Sequence, residues 1–256
     1  MANDTNQLVD AYNNFYTGSE AEWRMLGAKS KAKNLTEVCK GIRPSKILEV
    51  GAGDGSILHY LSEWNFGDEL YALEIAESGV SIIKNRNLPG VKEVKSFDGY
   101  TIPYADDSFD LIILAHVLEH VEHERLLLRE LRRVARYIVI EVPLDYRFGV
   151  DKRMKHFLDY GHINMYTPTL IRFLLQSEGM RVMADKTSLT PIDTVKFCEF
   201  NVLKKPKSIS RILKIELEYR IKKFLGSLLG KNKTEEFGNA YTVLSEKSGN
   251  ELKILS

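Results

Sequence analysis

The sequence predicts an α/β fold in which helices cover both faces of a mostly parallel β-sheet. After residue 45, short apolar runs alternate with longer amphipathic runs of helical period. Two of the short runs, 110–115 and 137–142, are almost entirely apolar, which is typical of strands buried on both faces. Because buried strands separated by helices form βαβ units, we expect a parallel sheet with right-handed crossovers.

The first units of this pattern surround a glycine-rich turn. Ile47–Val50 is predicted as the first strand, and Gly55–Trp64 as a helix because its apolar positions repeat at helical spacing. Leu70–Ile75 is the second strand and Ala76–Arg86 the helix after it. Val91–Phe97 alternates apolar and polar residues and is predicted as a weaker third strand.

The next units contain the two most apolar strands. Asp110–Ala115 is predicted as one of them and Tyr137–Val142 as the other, which Pro143 stops. Between them, Glu122–Ala135 is rich in leucine and in Arg/Glu pairs, which favours a helix.

Two helices and a last strand are predicted towards the C terminus. Thr167 is a suitable N-cap with Pro168 at the first helical position, and Gly179 ends this helix after about Ser177. Residues 208–229 form an amphipathic helix, and residues 240–247 form the final strand.

Composition excludes several classes of protein. The formal net charge of the 256 residues is +1, so the whole molecule has no nucleic-acid signature. Cys39 and Cys198 lie far apart with no C-x-x-C pair, which argues against a disulfide framework or a zinc site and suits a reducing cytoplasm. The N-terminal residues lack the features of a signal peptide, and no apolar run approaches the roughly 18 residues of a membrane span.

The charge is concentrated in one segment. Residues 204–233 contain ten Lys/Arg and two Glu, a net charge of +8, which leaves 1 − 8 = −7 for the rest. Within it, an apolar stripe repeats at helical spacing and the other face is basic; its members are Ile209, Leu213, Leu217, Ile221, Leu225 and Leu228. Three interpretations stay open: a helix packed on the domain, a contact with an anionic membrane surface, or a dimer or partner helix.

The most informative motif follows the first strand. Glu49, Gly51, Gly53 and Gly55 form the pattern Glu-x-Gly-x-Gly-x-Gly, whose glycines allow a sharp turn and close approach to a ligand. The helix start behind this turn favours an anionic group. The spacing differs from the G-x-G-x-x-G of dinucleotide folds. A tight strand–helix turn without a ligand is the alternative.

Two carboxylates follow later strands, at the sheet edge where ligands bind in such folds. Glu74 ends the second strand and is placed to accept hydrogen bonds from ribose hydroxyls, or else is a solvated strand end. Asp98 follows the third strand and is suited to accept from an adenine amine, although Asp98-Gly99 is also a common turn pair. Phe97 or Ile75 would sandwich the ring.

Together with residues 102–121 (Ile-Pro-Tyr-Ala-Asp-Asp-Ser-Phe-Asp-Leu through His-Val-Leu-Glu-His-Val), these motifs resemble the class I S-adenosyl-L-methionine (SAM)-dependent methyltransferases. The group concerned is the type-11/type-23 methyltransferase domain, which includes ubiquinone-biosynthesis, natural-product and glycan methyltransferases. The chain departs from it at 135–136, where Ala-Arg replaces the usual Lys-Pro-Gly-Gly turn. The resemblance implies a Rossmann-like three-layer sandwich with a seven-stranded sheet whose last strand is antiparallel. It also implies SAM as cofactor, S-adenosyl-L-homocysteine (SAH) as product, and a cofactor site formed by Glu49, Gly51, Ala52, Gly53, Gly55, Glu74, Ile75, Asp98, Gly99, Ala115 and His116.

The same run also matches a zinc-peptidase pattern, H-x-x-E-H, at residues 116–120. We reject it because a peptidase needs a third ligand from a distant helix, whereas the methyltransferase signature explains every residue. We therefore predict no metal site; incidental binding by His116, His120 and His123 is the remaining alternative.

Two histidines are candidates for acceptor chemistry. The segment Gly161–Pro168 is similar to a family loop that covers the acceptor, which makes His162 the first candidate for substrate contact or general base and His120 the second. For His162 the alternative is a hydrogen bond that only anchors the loop. The N-terminal aromatic residues of Tyr12–Tyr16 and Trp23 are candidates for a lid over SAM, or for a helix packed on the sheet edge.

We therefore expect one domain over residues 1–256: a helical lid (1–45), a core (46–187), an insertion with the basic helix (188–239) and a final strand (240–247). The predicted function is O-methylation of a sugar or polysaccharide intermediate in the cytoplasm, with peripheral contact to the inner face of the membrane through 208–229. Alternatives are a quinone-type or natural-product methyltransferase, or a non-catalytic SAM-binding partner subunit. A homodimer is also consistent with the sequence, and no nucleic-acid partner is expected.

Overall fold

The computed structural model describes residues 13, 21–146, 150 and 154–249. Seven strands form one sheet in the order β3-β2-β1-β4-β5-β7-β6. The strands are β1 (Lys46–Val50), β2 (Glu69–Glu74), β3 (Val91–Ser96), β4 (Phe109–Ala115), β5 (Ala135–Pro143), β6 (Met180–Ser188) and β7 (Ala240–Lys247). The helices are α1 (Ala21–Val38), α2 (Ser56–Glu63), α3 (Glu77–Asn85), α4 (Glu124–Val134), α5 (Met154–Tyr160), α6 (Pro168–Ser177), α7 (Ile192–Phe197) and α8 (Ile209–Phe237).

The predicted architecture is confirmed. Strand β7 runs antiparallel to both β5 and β6, and the pairs β1–β2, β1–β4, β2–β3 and β4–β5 are parallel. From β1 the chain turns first towards β2 and later returns to place β4 on the other side of β1. This reversal at the centre of the sheet opens a crevice at the carboxyl ends of β1 and β4.

Helices cover the sheet on both faces, as expected. On one face, α1, α2 and α3 contribute buried side chains such as Leu35, Leu58 and Ile83. On the other, α4 and α6 contribute Leu128 and Leu175, among others. The fold is therefore a three-layer sandwich.

Most predicted boundaries agree with the structure within two residues, and two differences have clear causes. Strand β5 extends one residue past its predicted end and includes Pro143. The last β4–β5 pair is Ala115–Glu141, so the missing N–H of Pro143 costs no hydrogen bond to β4. Strand β6 was not located from the sequence, because Met180–Ser188 contains polar residues and only its first residue is fully buried.

Helix α8 is longer than predicted, and most of the predicted apolar stripe points away from the domain. Ile209 is 79% exposed, Leu213 59% and Leu228 64%, with Leu217 and Ile221 also exposed. Partly buried residues lie on the opposite side of the helix; they include Ile212, Ile215 and Tyr219. Among the described helices, none is both long and apolar enough to cross a membrane.

Candidate functional site

The glycine-rich turn lies at the carboxyl end of β1 and adopts a conformation that requires glycine. Gly51, Gly53 and Gly55 have φ of 71°, 58° and 73°. The amides of Gly51 and Ala52 both donate to the carbonyl oxygen of Leu73, at 2.8 and 3.0 Å, which ties the turn to β2. A Cβ on Gly51 would lie 2.5 Å from Val117 Cγ2, so a side chain there has no room.

Glu74 holds the turn through its carboxylate. Its Oε2 accepts from the Gly53 amide at 2.7 Å, and its Oε1 accepts from the Ala76 amide at 3.1 Å. Burial raises the pKa of Glu74 in spite of these hydrogen bonds. Because each carboxylate oxygen has more than one lone pair, both remain able to accept a ribose hydroxyl as well.

The close packing of α3 against the glycine turn requires glycine at position 79, which was not predicted from the sequence. A Cβ on Gly79 would lie 2.5 Å from the carbonyl oxygen of Gly53 and 2.9 Å from Glu74 Cγ. A glycine inside a predicted helix was the available signal, because such a residue often marks a close approach of backbones.

Glu49 is buried on β1 beneath the turn and is 2% exposed. Its Oε2 accepts no hydrogen bond from any residue that the structure describes. Burial, followed by the nearby charges of Asp54 and Glu74, raises the pKa of Glu49 well above its usual value. A buried acceptor without a donor is a position where a ligand's ammonium group would fit.

Asp54 connects the turn to α1 and was also missed, since no local pattern indicates it. Arg24 Nε donates to Asp54 Oδ2 at 2.9 Å, and Arg86 Nε donates to the Asp54 carbonyl oxygen at 2.6 Å. Helix α1 therefore packs beside the glycine turn.

Of the predicted N-terminal lid, the structure describes Trp23, which lies half-buried in α1. It also describes Asn13, whose Oδ1 accepts from the Ser78 amide at 3.1 Å. Tyr12 and residues 14–16 lie outside the described residues.

The structure brings Asp98, Gly99 and Ile75 to the adjacent strand ends. Asp98 is exposed, and its Oδ1 accepts from the amides of Tyr100 and Thr101 at 2.8 and 2.6 Å. Gly99 has φ of 91°, and a Cβ there would meet Ile75 Cγ2 at 3.7 Å. The Asp98 turn and Ile75 thus form one continuous edge next to Glu74.

His116 follows Ala115 at the end of β4 in a left-handed conformation, with φ of 57°. Its Nδ1 lies 3.3 Å from Glu119 Oε1 and its Nε2 lies 3.3 Å from Glu141 Oε1. Burial and the Lys31 charge oppose protonation, but the two carboxylates prevail and raise the pKa of His116. The imidazole is therefore held between two buried acids rather than presented as a base.

Glu141 on β5 joins this arrangement to distant parts of the chain. Its Oε2 accepts from Asn34 Nδ2 on α1 at 3.0 Å and from Thr242 Oγ1 on β7 at 2.7 Å. All three side chains are buried. An acidic residue inside an apolar strand was the only sequence signal for this network.

The two predicted acceptor-side histidines lie together. The rings of His120 and His162 have centroids 5.0 Å apart. His162 Nδ1 lies 2.7 Å from Asp145 Oδ2, and His120 Nδ1 lies 3.0 Å from the Gly161 carbonyl oxygen. Since a carbonyl or carboxylate oxygen accepts, each Nδ1 donates, which leaves the lone pair of each neutral ring on Nε2.

The loop carrying His162 is fixed by backbone bonds to the turn that carries His120. The amides of Ile163 and Asn164 donate to the Glu119 carbonyl oxygen at 2.9 and 3.1 Å, and Asn164 Nδ2 donates to the Val121 carbonyl oxygen at 2.6 Å. His123, which we had grouped with His116 and His120, instead lies beside Tyr100 with its side chain half exposed.

The chain is similar to known methyltransferases. Residues 24–184 match a family model described as a methyltransferase domain. A demethylmenaquinone methyltransferase of Thermotoga maritima is 24% identical over 191 residues, which cover 64% of this chain and 79% of that protein. Ajmaline N-methyltransferase of Rauvolfia serpentina is 30% identical over 98 residues, which cover 36% of this chain and only a third (33%) of that protein's length.

A solved structure has the same fold. The Haloferax volcanii methyltransferase in complex with the Trm112 methyltransferase activator superposes with a TM-score of 0.61 at 12% identity, covering 95% of this chain and 97% of that one. The family match identifies the chain as a member of the class I SAM-dependent methyltransferases, and the solved structure shares its fold.

Proposed function

We propose, on the premise of this family membership, that the chain transfers the methyl group of SAM to a hydroxyl group of a sugar or polysaccharide intermediate. The observation that carries the hydroxyl acceptor is the Asp145–His162 pair. Its 2.7 Å contact fixes the ring tautomer, so that Nε2 of His162 is the atom that accepts the hydroxyl proton. His120 lies next to it and contacts the same acceptor.

The glycine-turn half of the site fits SAM. Gly51, Ala52, Gly53 and Gly55 would hold the methionine portion, and the unpaired Oε2 of Glu49 would face its ammonium group. Further along the same edge, Glu74 would bind the ribose, Asp98 and Gly99 the adenine amine, and Ile75 the face of the ring, while Ala115 and His116 would lie on the sulfonium side. Bound SAM supplies an electrophilic methyl group that is transferred in line to the acceptor oxygen.

Alignment is the main contribution of the protein to this reaction. Holding donor and acceptor in a near-attack geometry is worth about 7–11 kcal/mol, and a general base adds about 10²–10⁴-fold. The rigid attachment of the His162 loop to residues 118–121 keeps the base in place relative to the glycine turn.

Helix α8 supports a lipid-linked form of this acceptor. Five of the six residues of the outward stripe in 209–228 are exposed, Leu225 being partly buried, and the surrounding segment 204–233 has a net charge of +8. An exposed apolar stripe beside lysines matches an anionic bilayer surface, where each basic residue contributes about 1 kcal/mol. We propose that α8 holds the protein at such a surface, near an acceptor that is attached to lipid.

Vesicle sedimentation tests the membrane contact. We expect binding to phosphatidylcholine vesicles that contain phosphatidylglycerol, weaker binding at high salt, and a loss of at least about tenfold in affinity for Leu213→Glu with Leu217→Glu. The matched control is Leu126→Glu with Leu170→Glu, because those leucines are exposed on other helices. Equal binding by both double variants would remove the membrane proposal.

Transfer of labelled methyl groups into cell extracts tests the acceptor. Label in the saccharide fraction, lost in His162→Asn and kept in His59→Asn, supports the proposal; His59 is a partly exposed histidine on α2. Label in the quinone fraction would replace the acceptor with a quinone-type phenol, the alternative that the demethylmenaquinone methyltransferase relative favours. SAM binding without transfer to any fraction would leave a non-catalytic SAM-binding subunit.

A further inference from the structure

Three ligand-type side chains converge on the acceptor side of the site. Glu119, His120 and His162 each place one carboxylate oxygen or ring nitrogen so that all three atoms lie within 4.8 Å of one another. Glu119 and His120 come from the turn after β4, and His162 comes from the loop after α5. The two segments are fixed together by the backbone bonds to the Glu119 carbonyl oxygen.

The Glu119 carboxylate is the unusual member of this cluster. It is 1% exposed, and within the described part of the chain neither of its oxygens accepts a hydrogen bond. Its contacts are ionic: Oε1 lies 3.3 Å from His116 Nδ1 and 3.9 Å from His120 Nε2. Because a buried carboxylate without hydrogen bonds is costly, these oxygens are suited to a cation.

Both histidines already have the outer contacts that metal-binding histidines have. Asp145 accepts from His162 Nδ1, and the Gly161 carbonyl oxygen accepts from His120 Nδ1. Such contacts orient the ring and leave the lone pair on Nε2, the nitrogen that would bind a metal.

We propose that Glu119, His120 and His162 bind a divalent first-row transition ion of the zinc, cobalt or nickel type. Two imidazoles and one carboxylate suit these ions, whereas magnesium and calcium prefer an all-oxygen set. A bound ion occupies the same Nε2 lone pair that accepts the proton in the proposed reaction. The metal-bound enzyme is therefore inactive, and removal of the ion restores methyl transfer; this second part rests on the proposed function, and the site itself does not.

Titration of chelator-treated protein with Co²⁺ tests the site without any need for activity. We expect a visible d–d absorption band that saturates at one ion per chain and disappears on addition of Zn²⁺. Glu119→Gln, His120→Asn and His162→Asn should each abolish the band, and Asp145→Asn should weaken Co²⁺ affinity about 10–100-fold. His123→Asn and His59→Asn are matched controls and should retain it. SAM calorimetry on each variant establishes that it is folded.

The outcomes distinguish a failure of the metal site from a failure of the proposed methyl-transfer function. Absence of a saturable band in the wild type, or a band that survives Glu119→Gln in a variant that binds SAM, overturns the site. If Co²⁺ binds as expected and no extract accepts a methyl group with or without metal, the site stands and the proposed function fails. We expect Zn²⁺ to inhibit methyl transfer and a chelator to restore it. Methyl transfer that requires the ion would overturn the proposal that the metal-bound enzyme is inactive.

Discussion

The two halves of the site are built by different means. In the glycine-turn half, backbone amides make most of the contacts. Two amides donate to the Leu73 carbonyl oxygen, and the Gly53 amide donates to Glu74, 21 residues away. In the histidine half, formed by His116, His120 and His162, side chains from separate segments meet. Asp145 and His162 are 17 residues apart, and Asn34 and Glu141, which contacts His116, are 107 residues apart. A conformational motif therefore specifies one half, and the packing of the whole domain specifies the other.

The largest expected effect comes from the proposed proton acceptor in the histidine half. His162→Asn should reduce kcat by about 10²–10⁴-fold, because the Nε2 lone pair is lost, while the dissociation constant for SAM stays unchanged. Steady-state kinetics together with calorimetry measures both quantities. A parallel loss of SAM affinity would show that the two halves are not independent.

In the glycine-turn half, Gly79→Ala should have the opposite effect: it should weaken SAM binding. A Cβ 2.5 Å from the Gly53 carbonyl oxygen forces the turn to shift. Overpacking of this kind costs about 1–3 kcal/mol, which corresponds to roughly 5–150-fold weaker SAM binding. Gly27→Ala is the matched control, since a Cβ there meets nothing within 4 Å. Unchanged SAM affinity in Gly79→Ala would contradict the close-approach requirement.

The variant Thr242→Val on β7 tests how much the hydrogen bond between distant segments at Glu141 contributes to the stability of the domain. The fully buried Thr242 hydroxyl donates to Glu141 Oε2 at 2.7 Å, and a hydrogen bond to a charged group contributes about 1.5–3 kcal/mol. Denaturant unfolding should show a loss of about that size. Thr36→Val removes a comparable but exposed hydroxyl and should stay within about 0.5 kcal/mol of the wild type.

The effect expected at Glu49 depends on pH. An acid whose pKa is raised in the folded state destabilises the fold as pH rises from its unfolded pKa through the raised value. Glu49→Gln should therefore raise the free energy of unfolding of cofactor-free protein by about 1–3 kcal/mol at neutral pH. The difference should shrink on acidification, because Glu49 becomes protonated in the wild type.

Calorimetry provides the second half of the Glu49 test. Glu49→Gln should bind SAM more weakly than the wild type, because the proposed charged partner of the ammonium group is lost. A variant that is more stable at neutral pH yet binds SAM normally would remove Glu49 from the cofactor site. Glu63→Gln, an exposed residue at the end of α2, is the control for loss of charge.

The sequence by itself determined the alternation of strands and helices from β1 to β5, the final strand and the glycine turn. Buried strands are mostly apolar, and left-handed turn positions strongly favour glycine, so both leave a local pattern. The alternation and the motifs also identified Glu74, Asp98 and the two histidines as residues at strand ends or in adjacent loops.

Only the tertiary structure decided which side chains meet and which faces are covered. Gly79, Asp54 and Glu141 acquire their roles from atoms on other elements, so no local pattern distinguishes them from an ordinary helical glycine or a buried acid. The direction of the α8 stripe was undetermined for the same reason: helical spacing shows that apolar residues share one face, but burial depends on what lies opposite. The same holds for Glu119: it lies in a motif that the sequence reveals, but that its carboxylate is buried without a hydrogen bond is visible only after folding.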